Sequence, residues 1–175
     1  MEENVILVDE RDNKLGLMEK MKAHEKGLLH RAFSVFVVNS SGELMMQQRA
    51  LHKYHSGGLW TNTCCSHPRD GETTEEAAHR RLQEEMGFDC EIRKMFHFIY
   101  KAELDLGMTE HEFDHLYIGF FNGIPQLNKE EAADWKWMSI EEVETDLVEQ
   151  PQNYTEWFKI IFARFVAATK KPMEW

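Results

Sequence analysis

Short runs of β-branched and aromatic residues dominate the chain, and helical periodicity is confined to a few segments. Residues 4–9 (Asn-Val-Ile-Leu-Val-Asp) predict a strand, Asn13-Lys14-Leu15-Gly16 a turn, and the polar stretch 19–25 a short helix. Residues 30–38 and 43–49 predict two strands joined by the turn Asn39-Ser40-Ser41-Gly42, and His55-Ser56-Gly57-Gly58 reads as loop. The clearest helix is 73–86, with Thr73 or Thr74 as its cap, acids in its first turn and Gly87 as its stop. Residues 89–102 and 110–121 predict strands around Asp105-Leu106-Gly107, and 134–138 a further short one. Ser139-Ile140-Glu141-Glu142 opens another helix, and 156–168 is an amphipathic helix. Strands thus flank a central helix, which predicts an α/β domain with a mixed sheet rather than a doubly wound parallel one. With 175 residues, no repeat and no low-complexity linker, a single domain over 1–175 is expected.

The formal net charge is −11, which disfavours nucleic acid as a partner; an anionic ligand must meet a local group of cations or metal ions. Met1-Glu2-Glu3-Asn4 lacks the basic start of a secretory leader, no apolar run reaches the roughly 18 residues of a membrane span, and the C-terminus fits no lipidation box. Three cysteines, two of them adjacent (Cys64, Cys65, with Cys90 apart), make a poor disulfide framework. A reducing cytoplasm without membrane insertion is the expectation.

On the central helix Arg80 and Arg81 stand four residues before Glu84 and Glu85, so each pair shares a helix face. Charge pattern alone makes this a solvated face. The longer string from Ser66 through Glu72 to Arg80-Arg81-Leu82-Gln83-Glu84-Glu85-Met86-Gly87-Phe88 resembles the Nudix box, whose helix carboxylates bind a metal that holds a diphosphate. It departs twice: Ser66 stands where the box begins with Gly, and Arg81 where it has Glu. A metal ligand needed for hydrolysis is therefore replaced by a guanidinium suited to phosphate.

Immediately upstream, Trp60-Thr61-Asn62-Thr63-Cys64-Cys65-Ser66-His67-Pro68 resembles the active-site segment of type I isopentenyl-diphosphate isomerases, a branch of the Nudix superfamily. The segment 24–34, Gln48-Arg49-Ala50-Leu51 with Lys53, Glu110-x-Glu112 and Trp157 extend the likeness over most of the chain. The resemblance implies a Nudix-type α/β/α sandwich with a mixed β-sheet, acting as a monomer on a small prenyl diphosphate. It implies that Cys65 and Glu112 are the two acid–base groups, with Glu112, through Tyr100, protonating isopentenyl diphosphate and Cys65 taking the proton from the other side. His24, His30, His67, Glu110 and Glu112 would hold a metal; three imidazoles favour Mn²⁺ or Zn²⁺. Mg²⁺ would sit with Glu85, substrate phosphate oxygens and the Cys65 carbonyl.

Lys20, Arg49, Lys53 and Arg81 are the implied diphosphate partners. Trp157 is implied to face the carbocation, where an indole is worth roughly 2 kcal/mol or more when desolvated. Trp60 is a second candidate for the pocket wall, Cys64 is expected to point elsewhere, and His55 carries no assigned role. A Nudix hydrolase and a non-catalytic diphosphate sensor are the competing readings. Arg81 speaks against the first; the retained Cys65, Glu112 and three imidazoles speak against the second.

Overall fold

The computed structural model describes residues 3–170; Met1, Glu2 and the last five residues, on which the leader and lipidation expectations partly rest, lie outside it. In chain order the elements are β1 (Asn4–Val8), β2 (Lys14–Glu19), α1 (Lys20–Lys26), β3 (His30–Val38), β4 (Leu44–Arg49), β5 (Trp60–Thr61), β6 (Cys64–Ser66), α2 (Thr74–Met86), β7 (Ile92–Glu103), β8 (Thr109–Phe120), β9 (Ala132–Met138), α3 (Ile140–Glu149) and α4 (Glu156–Thr169).

Strand β3 is the axis of the sheet. It pairs in parallel with β8 from His30↔Glu112 to Val38↔Phe120. On its other side it pairs antiparallel with β6, Ser34 facing Cys65, and meets β1 at Leu7↔His30. The β7–β8 hairpin and the β4–β9 pair extend the sheet on either side, so it is mixed, as expected. The strand period of two divides the core. Phe33, Val35 and Val37 pack with Ala77, Ala78, Leu82 and Met86 of α2. Phe36, Leu116 and Ile118 pack with Trp157, Phe158, Phe162 and Phe165 of α4. Phe36 stacks on Phe165 at 4.3 Å between ring centroids. A helix on each face of one sheet gives the expected α/β/α sandwich.

One local expectation needs correction. The turn placed at Asn13–Gly16 lies earlier, because the Asp9 carboxylate accepts from the backbone of Arg11 and Asn13 and from the Asn13 amide. Lys14 to Gly16 consequently belong to β2. The segment around the cysteines, for which the sequence predicts no element, forms β5 and β6, strands of two and three residues that are too short to show a period.

Helix α2 begins at a capping box in which Thr73, rather than Thr74, bonds Glu76 reciprocally. Gly87 ends it in the left-handed region at φ 69°, with its N–H on the Gln83 carbonyl. The loop that follows returns tightly onto this end: a Cβ at Gly87 would lie 2.2 Å from the Gln126 carbonyl oxygen. Gly42, also left-handed at φ 75°, has nothing within 4 Å of such a Cβ. Gly87→Ala is therefore expected to lower stability by about 3 kcal/mol or more, and Gly42→Ala by only ~1 kcal/mol. Urea denaturation midpoints of the two variants measure the difference; equal losses would contradict the close approach.

Candidate active site

Four buried residues, each from a different part of the chain, meet at the N-terminal end of β3. His24 comes from α1, His30 opens β3, His67 follows β6, and Glu112 lies on β8 opposite His30. One ligand atom from each lies within 4.8 Å of every other. His30 donates Nδ1–H to the Leu28 carbonyl at 2.8 Å, which turns its Nε2 toward the cluster. His67 Nε2 lies 2.9 Å from Glu112 Oε1, and His30 Nε2 3.5 Å from the same oxygen. Neither ring nitrogen of His24 has a hydrogen-bond partner, although the side chain is 0% exposed. Burial and the neighbouring imidazoles push its pKa down to about 3. A buried neutral imidazole with a free lone pair is what a transition-metal site requires, so this His₃Glu group fits a divalent cation.

Glu110 is not one of these four. It sits one alternation away on β8, and Tyr100 on the paired strand β7 links it to Glu112: the phenol lies 2.6 Å from Glu112 Oε2 and 3.0 Å from Glu110 Oε2. Burial, then the Glu112 charge, raises the Glu110 carboxyl well above its usual range. Burial also pushes Glu112 upward, but His30 and His67 outweigh it and hold that carboxyl well below the usual range. Burial and the two carboxylates keep the Tyr100 phenol protonated.

Cys65 stands across β3 from β8. Because residues alternate along β6, Cys65 faces the α4 side of the sheet with Ser34, while Cys64 is sealed against α2, as expected. The thiol donates to Asn62 Oδ1 at 2.8 Å and lies 3.5 Å from Ser34 Oγ. Asn62 is locked because its amide donates to the Val35 and Cys64 carbonyls, both at 3.0 Å. Ser34 in turn donates to the buried Asp114 Oδ2 at 2.9 Å. Burial, then the Asp114 charge, raises the Cys65 thiol well above its usual value.

Cys65, Tyr100, Glu110, Glu112, His24, His67, Glu85 and all four expected cations line one cavity with Trp157. Lys20 Nζ pairs with Glu3 at 3.1 Å. Arg81 binds Glu85 at 2.6 Å and Glu84 at 2.7 Å, so the i,i+4 pairing read from the helix holds, as does Arg80 with Glu84 at 3.2 Å. Lys53 pairs with Glu131. The Arg49 guanidinium lies 5.1 Å from the centre of the Trp157 ring. Glu85 accepts from Gln47 Nε2 at 2.9 Å.

Trp60 does not line this cavity. Its position on β5 places the ring under Lys136 Nζ, 4.3 Å from the centroid. His55 does line it: the ring stands edge-on to Trp157 at 5.6 Å, and burial with the Arg49 charge pushes its pKa down to about 3. Gln47, Tyr54 and Glu131 were not singled out from the sequence and also belong to the wall. Among the described residues no helix is long and apolar enough to cross a membrane.

Residues 28–158 match the NUDIX domain family. The crystal structure of DR0079 from Deinococcus radiodurans superposes with a TM-score of 0.71 at 21% identity, covering 85% of this chain and 90% of that one, which supports the fold. The chain is 52% identical over 167 residues to isopentenyl-diphosphate Delta-isomerase 2 of Aromatoleum aromaticum, covering 95% of this chain and 88% of the relative. It is 51% identical over 160 residues to the isopentenyl-diphosphate Delta-isomerase of Pectobacterium atrosepticum, covering 91% and 89%. With the altered box helix, Cys65, and His24, His67 and Glu112 of the His₃Glu cluster around one cavity, and with these relatives, the chain belongs to the isopentenyl-diphosphate Delta-isomerases of the Nudix domain family.

Proposed function

We propose that the protein, acting as a single domain, interconverts isopentenyl diphosphate and dimethylallyl diphosphate by adding a proton at one end of the allylic unit and removing one at the other. The observation that carries this reading is the placement of Cys65 and Glu112. They stand on strands that flank β3, on the same face of the sheet, and open into one cavity. An unactivated alkene is protonated only where water is excluded, and both groups are buried or nearly so. From isopentenyl diphosphate, the proton passes from the Glu110–Tyr100–Glu112 chain to the terminal carbon, leaving a tertiary cation. Cys65, in its thiolate form, accepts the proton lost from the adjacent carbon, which restores the thiol that donates to Asn62, and Ser34 and Asn62 hold the sulfur in place. Trp157 offers the cation a π face and no nucleophilic lone pair.

His24, His30, His67 and Glu112 would hold Mn²⁺ or Zn²⁺, given three nitrogen donors, and Glu110 stands next to them through Tyr100. Glu85 with diphosphate oxygens suits Mg²⁺. A bound cation at the His₃Glu group supplies positive charge that offsets the burial of Glu112. Lys20, Arg49, Lys53 and Arg81 grip the diphosphate, and Arg81, in place of a box carboxylate, favours retention of the anion over its hydrolysis.

Cys65→Ala and Glu112→Gln are each expected to lower kcat by a factor of about 10³ or more while inorganic diphosphate still binds. Cys64→Ala, which lies in the core under α2 beside the buried face of Glu85, is expected to cost stability and leave kcat within about twofold. Conversion followed by NMR, with calorimetric binding in parallel, measures both; a Cys65→Ala enzyme that turns over normally refutes the acid–base pair. The metal site has its own readout. In metal-stripped protein the His24 and His55 imidazoles are expected to remain neutral down to about pH 4. Zn²⁺ is expected to bind with an affinity that His24→Ala lowers at least about tenfold. An NMR midpoint near 6.5 for His24, or unchanged Zn²⁺ affinity, would contradict the site.

A further inference from the structure

Three of the four cations at the diphosphate end are already engaged by carboxylates of the chain itself. Lys20 is held by Glu3, while Lys53 and Arg81 converge on a single residue, Glu131, which immediately precedes β9. Arg81 Nη2 lies 3.4 Å from Glu131 Oε2, and Lys53 Nζ is bound to that same oxygen. The Glu131 side chain is 24% exposed and lines the cavity.

Its backbone cannot swing away. The Glu131 carbonyl accepts from Ala50 N–H at 3.0 Å, and its own N–H bonds the Asn128 carbonyl at 2.9 Å. Asn128 and Gln126 are fastened to the end of α2 through the Glu85 and Met86 carbonyls. Ala50 also anchors Lys53, whose N–H bonds the Ala50 carbonyl at 3.2 Å. Lys53, Glu131 and α2 thus hang from one backbone junction, and only the Glu131 side-chain torsions are free to change.

We propose that Glu131 is an exchangeable latch on the diphosphate subsite: it holds Lys53 and Arg81 together between turnovers and must release both for a diphosphate to bind. The inference rests on the preceding reading that these two cations grip the diphosphate. Two anions cannot share the same donors without repelling each other, so the carboxylate competes with the incoming ligand and re-pairs as product leaves. A purely scaffolding carboxylate would have the opposite effect, because its removal would let two like charges separate and weaken the subsite. The sign of one measurement therefore separates the two roles.

The test is isothermal calorimetry with inorganic diphosphate, with and without Mg²⁺, on the full-length protein and on Glu131→Gln, Glu84→Gln and Lys53→Met. The latch predicts that Glu131→Gln tightens binding about tenfold in both conditions. Glu84, which also touches Arg81 but does not line the cavity, should leave binding within about twofold when changed to Gln. Weaker binding by Glu131→Gln makes it a scaffold, and weakening confined to Mg²⁺ makes it a metal ligand; either overturns the latch. Equal tightening by Glu84→Gln reduces the effect to bulk charge and also overturns it. If Lys53→Met leaves diphosphate affinity unchanged, the subsite itself is misplaced and the latch falls with it. If Lys53→Met weakens binding while Glu131→Gln does not tighten it, the latch alone is wrong.

Discussion

A carboxylate buried among imidazoles is the contact on which the rest of this structure depends. Glu112 is 6% exposed. Removing an isolated carboxylate from water costs several kcal/mol, which the fold must offset locally. It does so with His67, His30 and the Tyr100 phenol. Each comes from a different element, and each is placed by backbone register. Parallel pairing of β3 with β8 sets His30 beside Glu112, and the β7–β8 hairpin sets Tyr100 opposite it. The antiparallel β6 carries His67 in from the other side. The dryness that makes the charge expensive is also what allows a proton to be placed on a carbon–carbon double bond.

The same sheet keeps Cys65, the second proton-handling group we propose, apart from Glu112, the first. β3 lies between Cys65 and Glu112, and its Ser34 joins the two neighbourhoods through Asp114. The diphosphate end is built differently. It relies on side chains that reach inward from α1, the loop after β4 and α2, each balanced by an acid of the chain. One end of the cavity is thus built from side chains fixed by strand register, and the other from ion pairs.

Much of this was legible in the chain because the chemistry lies in compact strings. The cysteine segment, the altered box and Glu110-x-Glu112 each fix several side chains within a few residues. The helices were legible through their caps, Thr73 with Glu76 and Ser139 with Glu142. What escaped lies where long-range pairing decides. Asp114 and Ser34 are 80 positions apart and meet only through strand register. Asn62 gains its role from a turn that aims one amide at Val35, Cys64 and Cys65 together. Glu131 sits in the charged run Lys129-Glu130-Glu131, which reads as solvent-facing, and its hold on Lys53 spans 78 positions. The β2 strand was missed because a side chain, Asp9, rather than a glycine builds its turn. His55 had no periodic or motif signal; its burial against Trp157 is a tertiary fact.

The central claim is that this cavity moves the double bond of a small prenyl diphosphate by proton addition and removal and leaves the diphosphate intact. Incubation of the unmodified protein with isopentenyl diphosphate in D₂O, read by deuterium and phosphorus NMR, tests it most directly. The account predicts dimethylallyl diphosphate with deuterium in a methyl group and no loss of the diphosphate signals. Release of phosphate with the alkene unmoved, or an unlabelled substrate after prolonged incubation, would contradict it.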